Sequence, residues 1–405
     1  MTYPTIMPAL TLDFQNSKQL DPRVTFSRSS SATYTNSAGL VTSAADHEAR
    51  FDHDGNGESL GLLMEESGTN LVLSSADYNA SGWTRVGVSA TANSGTAPDG
   101  TNNASLLEST VNGVASLKYY VTTTGYATLS VYAKAGTSSG ITLYFHDDQI
   151  RFDLAAATIT TNNIPSTVLA TSIEAMGNGW YRCSVTSNRT GQTEKRVMVN
   201  NSDGSYQASI GDNVLIWGVQ IEEGQFPTSL IPTSGSTVTR AVDVLQITGD
   251  NFSSWYNPSQ GSLFGEYVAN GGFCRFRIWN GVGNNLNYWQ IGATSVAGGV
   301  MGAGTRSNQG ASTTSDHPGR IDANTNYGFK VRHAFGISVG GSSCYTFSSS
   351  GDSNLNTGGA ANTTDYAAPL VDRFQVHDLE SSINIARLSY YSERLTDTQL
   401  EAIAK

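Results

Sequence analysis

The stretch Asp52-His53-Asp54-Gly55-Asn56-Gly57-Glu58 sets oxygen ligands at alternate positions and a glycine at the turn, the opening of a loop that wraps a hard cation. The pattern stops there. Position twelve is Leu63 instead of a bidentate glutamate and no helices flank the loop, which excludes an EF-hand. A Gly/Asn turn with solvated carboxylates is the default; the alternative makes Asp52, Asp54 and Asn56 ligands of a structural calcium ion, and no other cofactor is implied. A second acidic group is His146-Asp147-Asp148, followed by Arg151 and Asp153. Adjacent carboxylates at a strand end point to opposite faces, so Asp147 and Asp148 cannot serve one glycosidic bond as acid and base. They read as a charged loop, from which Asp147 or Arg151 can hydrogen-bond a sugar.

Gly351-Asp352-Ser353, with Asp372 and His377 downstream, resembles the nucleophile block and triad of SGNH-type esterases. That family puts the block near its domain start after a hydrophobic strand. Here it sits in a Ser/Gly/Asn loop close to the histidine, which suits a hairpin turn, and no catalytic residue is assigned. Among aromatics, Trp180 and Trp217 lie in strand-like runs and belong to a core, while Trp83 follows Ser81-Gly82 near a loop and Trp279 ends an alternating strand. Tyr288 and Trp289 are neighbours on a strand, so one faces inward and the other is free to stack on a ligand. The polar stretch from Thr305-Arg306 to His317-Pro318-Gly319-Arg320 has no apolar anchor and reads as a mobile tip or a ligand-facing loop. The carbohydrate-binding candidates are therefore Trp83, Asp147, Arg151, Trp279, Tyr288, Trp289, His317 and Arg320.

The elements that must position these groups are strands. Of 405 residues only 14% are charged, against a usual share of roughly 25%, and the net charge is −11. Serine and threonine number 92 and glycine 42, together a third of the chain. Threonine suits a pleated surface, while glycine and serine punctuate it. An acidic chain without a basic cluster argues against nucleic-acid binding. No apolar run approaches the roughly 18 residues of a membrane span, and the N-terminus lacks the basic and apolar regions of a secretory signal. Cys183, Cys274 and Cys344 are odd in number and widely spaced, which suits buried thiols.

Alternating runs at Leu117–Val121, Thr128–Tyr132, Ile141–Phe145 and Val214–Val219, then at Cys274–Trp279, Leu286–Ile291, Gly328–Val331 and Ile383–Leu388, predict short strands of sandwich type. One helix is predicted, over Leu395–Ile403, with Thr396 as cap and Gln399 reaching back. The fold class is all-β: tandem β-sandwich (jelly-roll) domains with one short C-terminal helix. A shift in texture near residue 72 and a Pro/Ser-punctuated connector, Pro227–Val238, divide the chain into 1–71, 72–237 and 238–405.

Several segments resemble known text. Arg28-Ser29-Ser30-Ser31-Ala32-Thr33-Tyr34, Gly39-Leu40-Val41, Arg50-Phe51-Asp52 and Gly61-Leu62-Leu63-Met64-Glu65 with Thr69-Asn70-Leu71 are similar, in this order, to the opening of tailed-phage fibre and head-spike proteins. Asn178-Gly179-Trp180-Tyr181-Arg182, Trp217-Gly218-Val219-Gln220-Ile221-Glu222, Thr228-Ser229-Leu230-Ile231-Pro232-Thr233 and Thr239-Arg240-Ala241 resemble the end of a carbohydrate-binding-like jelly roll in such proteins. The last third, with Gly261–Tyr267, His333–Val339 and Ile385–Tyr391, resembles a concanavalin A/laminin-G-type sandwich. Gene transfer agents, which look like tailed-phage particles, carry similar head-spike fibres.

The resemblance implies a virion structural protein and no enzyme: an attachment region (1–71), a jelly roll (72–237) and a lectin-like sandwich (238–405). Its implied partners are a capsid or spike-base adaptor, further copies of the chain, and host capsular or surface polysaccharide, with neither nucleic acid nor membrane insertion. It would be made in the bacterial cytoplasm and released by lysis onto the particle surface. The rival implication is a displayed polysaccharide depolymerase or esterase.

Overall fold

The computed structural model describes residues 4–161, 164–201, 207–280, 288–293, 300–306, 312–313, 319–320, 329–338, 341–348 and 371–404. The chain is all-β, and among the described residues helix is confined to three short segments. The predicted C-terminal helix is present as Asp397–Ala404, and its capping box is closed: Thr396 N donates to Gln399 Oε1 (3.0 Å) and Gln399 N to Thr396 Oγ1 (3.3 Å). Leu400 and Ala404 seat it on Phe264 and Ala334 of the neighbouring sheet. Two single turns of helix, Phe14–Ser17 and Asp250–Ser253, are too short to leave a 3.6-residue period in the sequence.

Residues 83–223 form a sandwich of two six-stranded sheets. One contains Tyr126–Ala135, Trp180–Asn188 and Asn213–Glu223; the other contains Ala115–Thr123, Gly140–Phe145, Asp148–Asp153 and Gly191–Val199. Alternate residues of both sheets, among them Leu117, Leu143, Phe152, Val197, Leu129, Val185 and Ile216, close one apolar core. Cys183 is fully buried there, and burial raises its thiol pKa.

The rest of the described strands build chiefly one thirteen-stranded sheet around two long strands, Gln260–Trp279 and Arg373–Tyr391, which pair antiparallel through several register shifts. Residues from the first 71 belong to this sheet. Leu10–Asp13 and Ser59–Glu65 both pair with Arg373–Tyr391, and Thr25–Ser27 pairs with Val244–Thr248. Leu12, Phe14, Leu62 and Met64 share one core with Leu263, Phe276, Ile383 and Tyr390. At Gly61 (φ +95°) the chain passes so close to the Ile385 carbonyl that a Cβ has no room.

A buried ionic network joins these pieces. Arg50 meets Glu65 at 2.7 Å and Asp243 at 2.5 Å, Arg28 meets Asp243 at 3.1 Å, and Arg240 meets Glu65 at 2.7 Å, with all five side chains at most 1% exposed. Ser229 donates to Glu65 through both its N–H and its hydroxyl, each at 2.6 Å. Spare guanidinium hydrogens go to the carbonyls of Ser30, Thr33, Ala45, Glu48 and Glu66. The first half of the Pro/Ser stretch read as a connector is interior, with Thr228, Leu230, Ile231 and Thr233 buried, while residues 234–239 are exposed. Its polar groups are consumed locally, Thr228 by Glu222 (2.6 Å), the Ile231 N–H by Gln220 (2.7 Å) and the Ile231 carbonyl by Asn70 (2.9 Å).

Removing one partner of a buried, hydrogen-bonded ion pair leaves the other charge uncompensated. Glu65→Ala is therefore expected to cost about 3–5 kcal/mol in urea-induced unfolding. A loss below about 1 kcal/mol would show that the network is solvated and holds nothing together.

Candidate functional site

The outer face of the second middle sheet gathers groups suited to polar ligands. In Ala115–Thr123, Leu117 and Tyr119 turn into the core, so Lys118 and Tyr120 turn out. In Gly191–Val199, Lys195 and Val197 are buried and Glu194 and Arg196 lie opposite them; in Gly140–Phe145 the outward residue beside them is Tyr144. Cross-strand register sets Tyr120 against Glu194, and lines up Lys118, Arg196, Tyr144 and Gln149 in one row. The next row brings Thr142 against Arg151.

The contacts are specific. Tyr120, 51% exposed, donates its hydroxyl to Glu194 Oε2 at 3.1 Å. Lys118 Nζ sits 3.3 Å from the same oxygen, Arg196 binds Glu194 Oε1, and the Arg196 guanidinium lies 4.6 Å from the Tyr144 ring centroid. Partial burial would raise the Glu194 pKa, but Arg196, Tyr120 and Lys118 outweigh it and hold the carboxylate below its ordinary range. The Tyr144 hydroxyl is pushed up by burial and by Glu194. The patch therefore sets one carboxylate against two cations, a fixed group of donors and acceptors around two tyrosine rings.

Asp147 and Arg151 belong to this face and its edge. Asp147 sits in the turn between Gly140–Phe145 and Asp148–Asp153, 69% exposed at its side chain, with His146 Nδ1 at 2.7 Å. Asp148 turns the other way, buried, and accepts from Ser187 (2.6 Å), Thr167 (2.8 Å) and Arg189 (2.9 Å). The two carboxylates are thus divided between surface and interior.

The other candidates lie elsewhere. Trp83 is a core edge, its ring packed edge-on against Tyr78 and Tyr119 and its indole N–H donated to the Ser74 carbonyl at 2.9 Å. Trp279 is 8% exposed and donates to Gln375 Oε1, so the ring that ends its strand is buried and offers no stacking surface. Tyr288 and Trp289 pair in register with Trp279 and Ile278, and Arg320 with Val300; their side chains, like that of His377, lie outside what is described. His317 and Gly351-Asp352-Ser353 lie outside the described residues altogether. Asp372, the acid proposed beside them, is exposed and paired with Arg373 at 2.8 Å.

The calcium-loop candidate is the tip of the hairpin from Arg50–His53 to Ser59–Glu65. Asp54 Oδ1 accepts the N–H groups of Asn56 and Glu58, both at 2.9 Å, a turn made by the loop's own backbone. Asp52 accepts from the Thr35 N–H at 2.8 Å and from Asn384 Nδ2 at 3.1 Å. Among the described residues no group of three His, Cys, Asp or Glu side chains is placed to hold a metal ion.

Tyr120, Tyr144, Lys118, Glu194 and Arg196 escaped the sequence reading. The alternation in Leu117–Val121 separates Lys118 and Tyr120 from the core, but Glu194 lies 74 residues from Tyr120, a pairing no local pattern discloses. Compared with known proteins, the chain matches no family model and no curated sequence.

Two acids, half-buried Asp52 and buried Glu65, give opposite pH dependences. Loss of hydration pushes Asp52 up to about 6 despite its donors, so the folded protein holds a proton the unfolded chain has released. That contribution is present in full below about pH 4 and is lost as pH rises through 6. Glu65 would also be raised by burial, but Arg240 and Arg50 bring it to about 2; its contribution is present above about 4.5 and is lost as pH falls toward 2. Urea unfolding across pH 3–8 is expected to show stability rising as pH drops from 7 to about 4.5, and Asp52→Asn is expected to flatten that limb. Identical slopes for the two proteins would contradict the assignment.

Proposed function

We propose that this chain is a structural protein of a phage-like particle, a head-spike or tail fibre, that adheres to capsular or surface polysaccharide through the outer face of its middle sandwich. The observation that carries the glycan reading is the Tyr120–Glu194–Arg196–Tyr144 patch. Sugars present hydroxyls that both donate and accept, and apolar ring faces that stack on aromatics. A locked carboxylate, the two cations paired with it and two tyrosines on one sheet face meet those needs.

Such a shallow contact is weak per site, and repetition on a fibre raises avidity by roughly 10²–10⁴. The particle assignment rests on the likeness of Arg28–Tyr34, Arg50–Asp52 and Gly61–Glu65 to fibre proteins. The structure supplies a consistent reason for those residue types, since Arg28, Arg50 and Glu65 are members of the interior network. An adaptor on the particle and self-association are part of this reading, as is adhesion without turnover. No helix among the described residues is long and apolar enough to cross a membrane.

The full chain is expected to be retained on capsulated cells and not on isogenic acapsular mutants, with Tyr120→Ala/Tyr144→Ala lowering retention ~10-fold or more, about 1–3 kcal/mol for two lost stacking or hydrogen-bonding contacts. Incubation with the purified capsule is expected to release neither reducing ends nor acetate. Equal retention on both cell types rejects the glycan reading, and release of either product replaces adhesion by depolymerase or esterase action.

A further inference from the structure

The hydrogen bonds that the tyrosine patch has already made, and those it still has to give, decide which glycans suit it. Its one carboxylate is fully engaged. Glu194 Oε2 accepts the Tyr120 hydroxyl at 3.1 Å and faces Lys118 Nζ at 3.3 Å, Oε1 takes the Arg196 guanidinium, and the charge of Glu194 reaches the Tyr144 hydroxyl as well. A ligand hydroxyl with a hydrogen to donate therefore finds Glu194 ringed by the protein's own donors. The acids at the edge of the face have donors too: Asp147 has His146 Nδ1 at 2.7 Å, and Asp153 accepts the N–H groups of Ala155 and Ala156, both at 2.9 Å.

The cations are the reverse case. Among the described residues Glu194 is the only partner of Lys118, which leaves most of the ammonium's hydrogens to solvent. Arg196 gives Nη2 to Glu194 and holds its guanidinium over the Tyr144 ring; its Nε is sealed from water, whereas Nη1 is neither sealed nor bonded to any described residue. Lys118, Arg196 and Tyr144 stand in one row on adjacent strands, about 4.8 Å from strand to strand, so the unspent donors lie within about one sugar ring of an aromatic face.

A ligand that covers this face takes both cations out of water and must replace what they lose. A cationic group would meet two like charges and a carboxylate already engaged. A neutral hydroxyl accepts weakly and brings a hydrogen of its own, whereas a carboxylate brings acceptors only and makes charge-assisted bonds roughly twice as strong. The chain's net charge of −11 does not oppose this, because exposed charges more than about 8 Å apart are largely screened at physiological ionic strength. We infer, resting on the adhesive role proposed for the patch, that it selects acidic glycans whose sugar rings carry a carboxylate, with Lys118 and Arg196 binding that carboxylate beside a ring stacked on tyrosine.

The test uses capsular polysaccharide purified from cells that retain the protein, immobilised as isolated and after carbodiimide and borohydride reduction of its carboxylates to alcohols. Binding of the full chain to both is measured by surface plasmon resonance. The native polymer is expected to bind ~10-fold or more tighter than the reduced one, as loss of a hydrogen bond to a charged group does. Lys118→Ala, at a position outside the core, is expected to weaken binding to the native polymer by a similar factor and to leave binding to the reduced polymer unchanged. Equal binding of the two polymers overturns the inference while leaving adhesion to a glycan in place, and so does a Lys118→Ala loss that is as large on the reduced polymer as on the native one. Binding to neither polymer overturns the adhesive role itself.

Discussion

Three arginines and two carboxylates sealed from water constrain everything else in this molecule. Arg28, Arg50 and Arg240 outnumber Glu65 and Asp243, so the cluster depends on the many carbonyls and on Ser229 that share the guanidinium hydrogens. Such a cluster has one arrangement in which every group is nearly satisfied, and misplacing any strand that feeds it leaves a charge stranded. Its members come from residues 28 to 65 and from 229 to 243, so the first 71 residues and the segment after the middle sandwich must be brought together before it exists. Buried ion pairs contribute little net stability over apolar packing.

That constraint explains the architecture around it. The N-terminal strands complete the sheet built on the long strands, and residues 228–233 run through the interior with Glu222, Gln220 and Asn70 binding their backbone. The middle sandwich is consequently held on a frame and leaves exposed the part of one sheet's outer face that carries Tyr120. Lys118, Tyr120, Glu194, Arg196 and Tyr144 sit on regular strands whose inward residues are locked in the core, the arrangement that fixes side chains for recognition.

Sequence patterns disclosed what is local. The alternation of Ala115–Thr123 and Tyr126–Ala135 and the Thr396/Gln399 cap follow from periods of two and from a three-residue spacing. Relations across the chain stayed hidden. Arg50 and Asp243 lie 193 residues apart, a pairing no local pattern around Arg50 discloses. Glu194-Lys195-Arg196 places three charges in succession, of which the middle one is buried over the Phe145 ring at 4.5 Å while its neighbours face out. Trp279 was a plausible stacking ring by its place at a strand end, and only the sheet packed around it shows the ring enclosed.

The central claim is that the tyrosine-bearing sheet face is where the protein meets a glycan. A capsular oligosaccharide carrying a photoactivatable group, crosslinked to the intact chain and mapped by mass spectrometry, addresses it most directly. Adducts at Tyr120, Tyr144 and the strand Gly191–Val199 are the predicted result. Adducts confined to the strands Gln260–Trp279 and Arg373–Tyr391 would contradict it.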